Sequence, residues 1–265
     1  MLGCPFVDLV AGRNVIVRNR VLASLDRTSF RALAPHLKPV SLPRRAILQD
    51  HHHRIDQVHF IERGIASVYA RTRSDGPVEV AIVGRFGLVG VSAILGVSRS
   101  PNRCQMQVAG EALSISTLHL RQAMDALPRI RQHFLDYVHA LMVQNTQVAL
   151  CAARHNVEQR LCRWLLLTSA RLEDAVIPVT HEMLAKNLGV RRAGISVALL
   201  RLQNAGAVGT ARGACVIRDR SLLEQRSCEC YAIIEAEYRR LAERGCHDHV
   251  LDTSKRAELS AVLAT

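Results

Sequence analysis

The chain has 265 residues, of which 49% are apolar and 22% charged, a balance that excludes a disordered or collagen-like polymer and allows one or two domains. Lysine and arginine (35) outnumber aspartate and glutamate (23), and the resulting +12 points to an anionic partner, either nucleic acid or an acidic membrane surface. No run approaches the roughly 18 apolar residues that span a bilayer, residues 1–12 lack a basic export region, and 4% aromatics disfavour a base-stacking RNA module. A cytoplasmic chain without membrane attachment is expected, its eight scattered cysteines reduced.

Residues 19–37 place Val21, Leu22, Leu25, Phe30, Leu33 and Leu37 on one helical face ahead of Pro39, predicting a short helix. From Pro39 to Leu120 the apolar period becomes two, in short runs at Val40 and Leu42, Val58 and Phe60, 65–70, 78–83, 105–108 and 113–116. Turn clusters at Arg63-Gly64, 74–77 and 98–102 separate them, so a compact antiparallel β-roll of the double-stranded β-helix or jelly-roll kind is predicted over 19–127.

Beyond Pro128, Phe134, Val138, Leu141, Asn145, Val148 and Ala152 recur at steps of four and three, the heptad spacing of a long helix over 128–154. A second stripe, Leu135, Met142 and Ala149, runs beside them. The expectation is that the first stripe is a dimer seam with Asn145 fixing register, while the second packs on the β-roll; the alternative is one wide face buried within a single chain. Asn156 is placed as an N-cap, with Gln159 in capping-box position, so a hinge is predicted at Asn156. A C-terminal domain over 155–244 and a peripheral tail over 245–265 complete an α+β organisation.

From Thr180 the sequence reads THEMLAKNLGVRRAGISVALLRLQNAG, two short helices joined by a tight turn. Thr180 is the first N-cap. Ala185 supplies the small side chain where two such helices cross, Gly189 the turn residue and Ile195 the apolar anchor on the second helix. Residues 207–217 then form a short hairpin, making the module a winged helix-turn-helix. Residues 180–220 carry seven basic and two acidic side chains, which suits a phosphate-facing surface. Arg192 and Ser196, on the helix near 191–204, are the candidates for base edges; Thr180, Lys186, Arg191, Arg201 and Arg212 complete the predicted DNA-binding set.

This order of parts resembles the Crp/Fnr family of bacterial transcription regulators, over roughly 19–241 and most specifically over 180–206. The resemblance implies a homodimer on a palindromic double-stranded DNA site, with RNA polymerase a further partner, the β-roll as sensor and the hinge relaying its state. Arg192 matches the arginine that family members use on a guanine. Ala193 stands where many carry a base-reading glutamate, and Val197 where the cyclic-AMP receptor has a second arginine, so that receptor's consensus site does not transfer. Residues 84–90, GRFGLVG, resemble the first part of the family's phosphate cassette and Arg99-Ser100 the second. The implied effector pocket takes Gly87, Gly90, Arg99, Ser100, Asn145 and Thr146. Between Arg85 and Gly110 no carboxylate is available to a ribose hydroxyl, so cyclic AMP is not the expected effector and none is assigned.

Only Cys4 precedes Cys104, which does not suit an N-terminal iron–sulfur cluster. Cys228 and Cys230, about 200° apart if helical, are read as facing opposite sides, so neither a metal nor any other cofactor is expected; Cys246-His247-Asp248-His249 and the His51–His53 run are read as structural. Cys151 and Cys162 are read as small buried hydrophobes. Without a nucleophile-elbow, zincin or phosphate-loop pattern, no catalytic residue is assigned. The competing classes are a non-catalytic interaction module with a basic face and a metal- or thiol-dependent enzyme.

Overall fold

A computed structural model describes residues 6–10, 13–74 and 76–243; Cys4, Cys246 and the predicted tail at 245–265 lie outside the described residues. The chain opens with a hairpin, β1 (Phe6–Val10) and β2 (Arg13–Val17), that the apolar pattern did not announce. The helix predicted over 19–37 is broken into α1 (Arg20–Ala23), α2 (Arg27–Leu33) and a 3-10 turn at Ala34–His36. The break is a matter of capping: Asn19 caps α1, and Asp26 starts a new helix by accepting from Ser29 N at 2.9 Å.

The β-roll follows as β3 (Lys38–Leu42), β4 (Ile47–Gln49), β5 (Gln57–Ala70), β6 (Val78–Val83), β7 (Leu88–Val89), helix α3 (Val91–Ile94) and β8 (Arg103–Ser116). Its six-strand sheet runs β3-β8-β5-β6, with β4 on β8 and β7 on β5, all pairings antiparallel. β5 and β8 are each fourteen residues long, because Arg63-Gly64 is a bulge and not the predicted turn. Gly64 sits at φ +85°, and a Cβ there would lie 2.7 Å from the Val108 and Ala109 carbonyl oxygens, so the strand crosses the bulge only with glycine.

Helix α4 (Thr117–Ala126) leads into α5 (Pro128–Arg154), which Pro128 opens as a first-turn proline. Phe134, Tyr137 and Val138 are buried with Phe30, Leu33 and Phe60 in the roll's main core. The first stripe is therefore divided, its N-terminal part packing on the roll as the second stripe was expected to do. Phe134 and Val138 are 0% and 7% exposed inside the chain's own core, whereas Leu135 (38%) and Met142 (62%) face solvent with Ala149 and Leu150. Leu141 and Val148 are half-buried, and Asn145 and Ala152 are exposed. Heptad spacing marks both faces of such a helix and cannot say which one the roll takes.

After the cap at His155 come α6 (Val157–Leu172), β9 (Val176–Ile177), α7 (His181–Leu188), α8 (Arg192–Asn204), β10 (Val208–Ala211), β11 (Ala214–Ile217), α9 (Arg220–Gln225) and a final helix, α10, over 230–243. Asn156 and Gln159 form the capping box that starts α6. A second core joins Leu161, Trp164, Leu165, Ile195, Leu199, Leu202 and Ile217, each large side chain contributing about 1.5–3 kcal/mol of burial. Ile234, Tyr238 and Leu241 of α10 return to the first core, so the C-terminal part is fastened to the roll. No helix among the described residues is long and apolar enough to cross a membrane.

Candidate nucleic-acid interface

Helices α7 and α8 are set by local sequence. Thr180 accepts from Met183 N at 3.2 Å and starts α7; Gly189, at φ +62°, ends it in the left-handed conformation. Ala185 and Ile195 are buried where the two helices meet, with Leu184, Leu188 and Leu199 beside them. β10 and β11 pair antiparallel through Val208↔Ile217 and Ala211↔Ala214, and β9 adds a third strand to this wing.

On the outer side, Arg191 and Arg192 are exposed at the start of α8, Arg201 is exposed farther along it, and Arg212 is exposed at the tip of the wing. A groove of about 460 Å³ lies between α7, α8 and the wing, lined by Thr180, His181, Arg192, Thr210 and Gly213 among others. Ser196 is half-buried, its Oγ 3.0 Å from Nδ1 of the groove-lining His181. Val197 and Leu200 are exposed on the same helix. An exposed helix with arginines at 191, 192 and 201, next to a wing carrying Arg212 and a groove whose lining has Glu182 as its one carboxylate among the described residues, is chemically suited to a polyanion whose grooves admit a helix.

Lys186 lies elsewhere. It is exposed, but its ammonium sits 5.0 Å from the centre of the Tyr69 ring on the roll, a cation–π contact between the two bodies. The next residue is buried in the same junction: Asn187 donates to Gln107 Oε1 at 3.0 Å and accepts from Tyr69 Oη at 3.2 Å. Below them Trp164 Nε1 donates to Glu79 Oε1 at 2.5 Å, and Ser67 Oγ lies 2.5 Å from Glu79 Oε2 and 2.6 Å from Gln107 Oε1. Burial pushes the Glu79 carboxyl up to about 7.

The residues of the implied effector pocket are not brought together. Gly87 lies against Tyr137: a Cβ at residue 87 would come within 2.5 Å of Tyr137 Oη, which accepts from Leu88 N at 3.1 Å and donates to Leu88 O at 3.2 Å. The Leu88 amide is thus satisfied by a tyrosine, and the Gly87 amide donates to Gly84 O at 2.9 Å. Gly90 packs on Val58, Arg99 is exposed and donates to His52 O at 3.0 Å, and Ser100 Oγ accepts from Asn102 N at 3.2 Å. Asn145 and Thr146 are exposed on α5, the latter donating to Met142 O. The glycine-rich segment is instead a seat for α6. A Cβ at Gly84 would meet Arg171 Cβ at 2.7 Å, and buried Arg85 pairs with Glu173. Short side chains are required there by packing, which produces the same pattern as a phosphate loop.

The cysteines also depart from expectation. Cys162 and Cys215 are buried in the second core, and burial pushes their thiols up to about 12 and about 11. Cys228 and Cys230 do not face apart, because α10 begins at residue 230 and Cys228 stands in the turn before it, outside helical periodicity. Both thiols converge on Cys151, and His155 joins them. Nothing in the linear pattern joined residues 151 and 155 to 228 and 230, so sequence reasoning missed the group.

Residues 159–226 match the Crp-like helix-turn-helix domain. No curated protein matches the chain. Among solved structures, FixK2 from Bradyrhizobium japonicum is similar at a TM-score of 0.61 and 14% identity, over 72% of this chain and 98% of that one. The c-di-GMP-responsive global regulator CLP of Xanthomonas campestris is similar at 0.60 and 19%, over 73% and 100%. A CRP-family transcriptional regulator from Thermus thermophilus is similar at 0.57 and 18%, over 72% and 96%. The chain has the α+β fold of the Crp/Fnr transcription regulators, with a Crp-like helix-turn-helix domain over residues 159–226.

Proposed function

We propose that the protein is a homodimeric, sequence-specific regulator that reads a palindromic double-stranded DNA site with α8 and holds the flanking phosphates with its wing. The observation that carries this reading is the exposure of Arg191, Arg192 and Arg201 on α8 and of Arg212 at the wing tip, with Arg192 lining the groove between α7, α8 and the wing. Arg192, at the first turn of α8, is the guanine reader, since a guanidinium forks onto the O6 and N7 of that base alone. Arg191, Arg201 and Arg212 hold phosphates, and Ser196, already oriented by His181, takes a supporting base or backbone contact. Lys186 joins them only when α7 leaves Tyr69.

The dimer face is the exposed apolar stripe of α5, Leu135, Met142, Ala149 and Leu150, and not Phe134 and Val138. Two-fold symmetry about that helix gives the two α8 helices the paired geometry a palindrome requires. No effector is assigned, and the filled space around Tyr137 supports regulation by something other than a cyclic nucleotide.

The test is selection from a pool of randomised duplexes. The wild-type chain should enrich an inverted repeat. Arg192→Ala should lose preference at one base step in each half-site, a loss of about 1–3 kcal/mol of discrimination per step. Enrichment of no motif by the wild type, or an unchanged motif with Arg192→Ala, would refute the assignment.

A further inference from the structure

We infer that Cys151, His155, Cys228 and Cys230 form a closed, four-coordinate site for a soft divalent cation, zinc by preference, which braces the hinge between α5 and the C-terminal domain. The four ligand atoms lie within 4.8 Å of one another. Cys151 Sγ is 3.5 Å from Cys228 Sγ, and Cys230 Sγ is 3.6 Å from His155 Nδ1. With Zn–S of about 2.3 Å and Zn–N of about 2.0 Å at tetrahedral angles, the edges of a zinc site are about 3.8 Å between sulfurs and about 3.5 Å between sulfur and nitrogen. Two opposite edges of such a tetrahedron are therefore already close to the required length.

Chain geometry explains the convergence. Cys151 lies in the last turn of α5, and His155 is its C-cap, its amide donating to Cys151 O at 3.1 Å. Four residues apart at a helix end, the two side chains share a side. Cys228 and Cys230 straddle the start of α10, so one ligand comes from the turn and one from the helix. The three thiols are buried and form a separate small cluster with no large apolar side chain among them, an uneconomical filling for a core.

Charge favours the same reading. Three thiolates and a neutral imidazole around Zn²⁺ leave one negative charge, which a buried site must offset. Arg163, 5% exposed, reaches Cys151, and its Nε has no protein partner. A tetrahedral thiolate-rich set selects zinc over magnesium or calcium, which take oxygen ligands. All four positions come from protein, so the ion is structural and leaves no open site for substrate. Its place is next to Asn156, where α5 ends and α6 begins, and α10 continues from it into the β-roll core. The ion thus joins the two segments that flank the winged helix-turn-helix in the chain, the end of α5 and the start of α10.

The full chain tests this directly. Elemental analysis should find close to one zinc per chain. After removal by chelator under reducing conditions, cobalt(II) should restore occupancy with the d–d bands of a tetrahedral ion and thiolate-to-cobalt charge transfer. Cys230→Ser and His155→Ala should each weaken cobalt affinity at least about tenfold, while Cys162→Ser, outside the cluster, leaves it unchanged. The wild-type titration does not depend on any variant folding. Metal-free protein that gives only the spectrum of aqueous cobalt overturns the site. So does an equal loss in Cys162→Ser, or a Cys151–Cys228 disulfide mapped in protein alkylated at lysis.

Discussion

Glu79→Gln should make the protein more stable at pH 8 and change it little at pH 5. Glu79 is fully enclosed between β6 and α6, where Trp164 Nε1 donates to one oxygen and Ser67 Oγ approaches the other. Ser67 has one hydrogen and two acceptors within reach, Glu79 Oε2 and Gln107 Oε1. A proton on Glu79 resolves the conflict: the carboxyl donates to Ser67, and Ser67 donates to Gln107, which also accepts from Asn187. Burial raises Glu79 from 4.5 to about 7, even with Arg163 and Arg171 acting in the opposite direction. Below pH 4.5 both folded and unfolded chains are protonated, and the group has no pH effect. Between 4.5 and 7 the unfolded chain releases the proton first, so stability falls as pH rises, and above 7 the loss is complete. At about 1.4 kcal/mol per pH unit the ceiling is about 3 kcal/mol. Glutamine reproduces the neutral form, accepting from Trp164 and donating to Ser67, and removes that loss. Denaturant unfolding of both proteins at pH 5 and pH 8 measures it. A difference between them that is the same at both pH values would refute a neutral Glu79.

Leu135→Asp with Met142→Asp should leave the monomer's stability within about 0.5 kcal/mol, since both side chains are solvent-exposed in one chain, yet sedimentation should show monomers. Phe134→Ala should instead cost about 3–5 kcal/mol of folding stability, because that ring is in the roll core. Tyr137→Phe leaves the buried Leu88 amide and carbonyl without their shared partner and should cost about 1–3 kcal/mol in unfolding. Cyclic AMP and cyclic GMP at millimolar concentration should not raise the melting temperature. A ligand at a hundredfold excess over its dissociation constant would add about 2.7 kcal/mol, so a shift would be easy to see and would contradict the reading of Tyr137.

What the sequence reveals depends on whether the signal is local. The second half of the chain is written in short-range chemistry: Thr180, Gly189 and the Asn156–Gln159 box act within four residues of themselves, and their spacing identifies the turn and the caps directly. Residues 84–90 mislead because glycine answers two different demands alike, approach of a phosphate and approach of Arg171 or Tyr137. The stripes of α5 are ambiguous because Phe134 and Leu135 are equally apolar, and only the neighbouring roll decides which is covered. Arg63-Gly64 reads as a turn because a bulge uses the same residue types. The cysteine–histidine group is invisible for a topological reason: residues 155 and 230 meet only after the winged helix has folded between them.

In the proposed function the face around α8 and the wing binds DNA through phosphates as well as bases. The most direct measurement is a binding titration of the wild type and Arg212→Ala on one selected duplex over a range of salt. Three phosphate-holding arginines in each of two copies predict a log–log slope of about −5 for the wild type, and loss of Arg212 from both copies should reduce its magnitude by about 2 while retaining the same preferred site. A wild-type slope near zero, or an Arg212→Ala slope equal to it, would contradict the account.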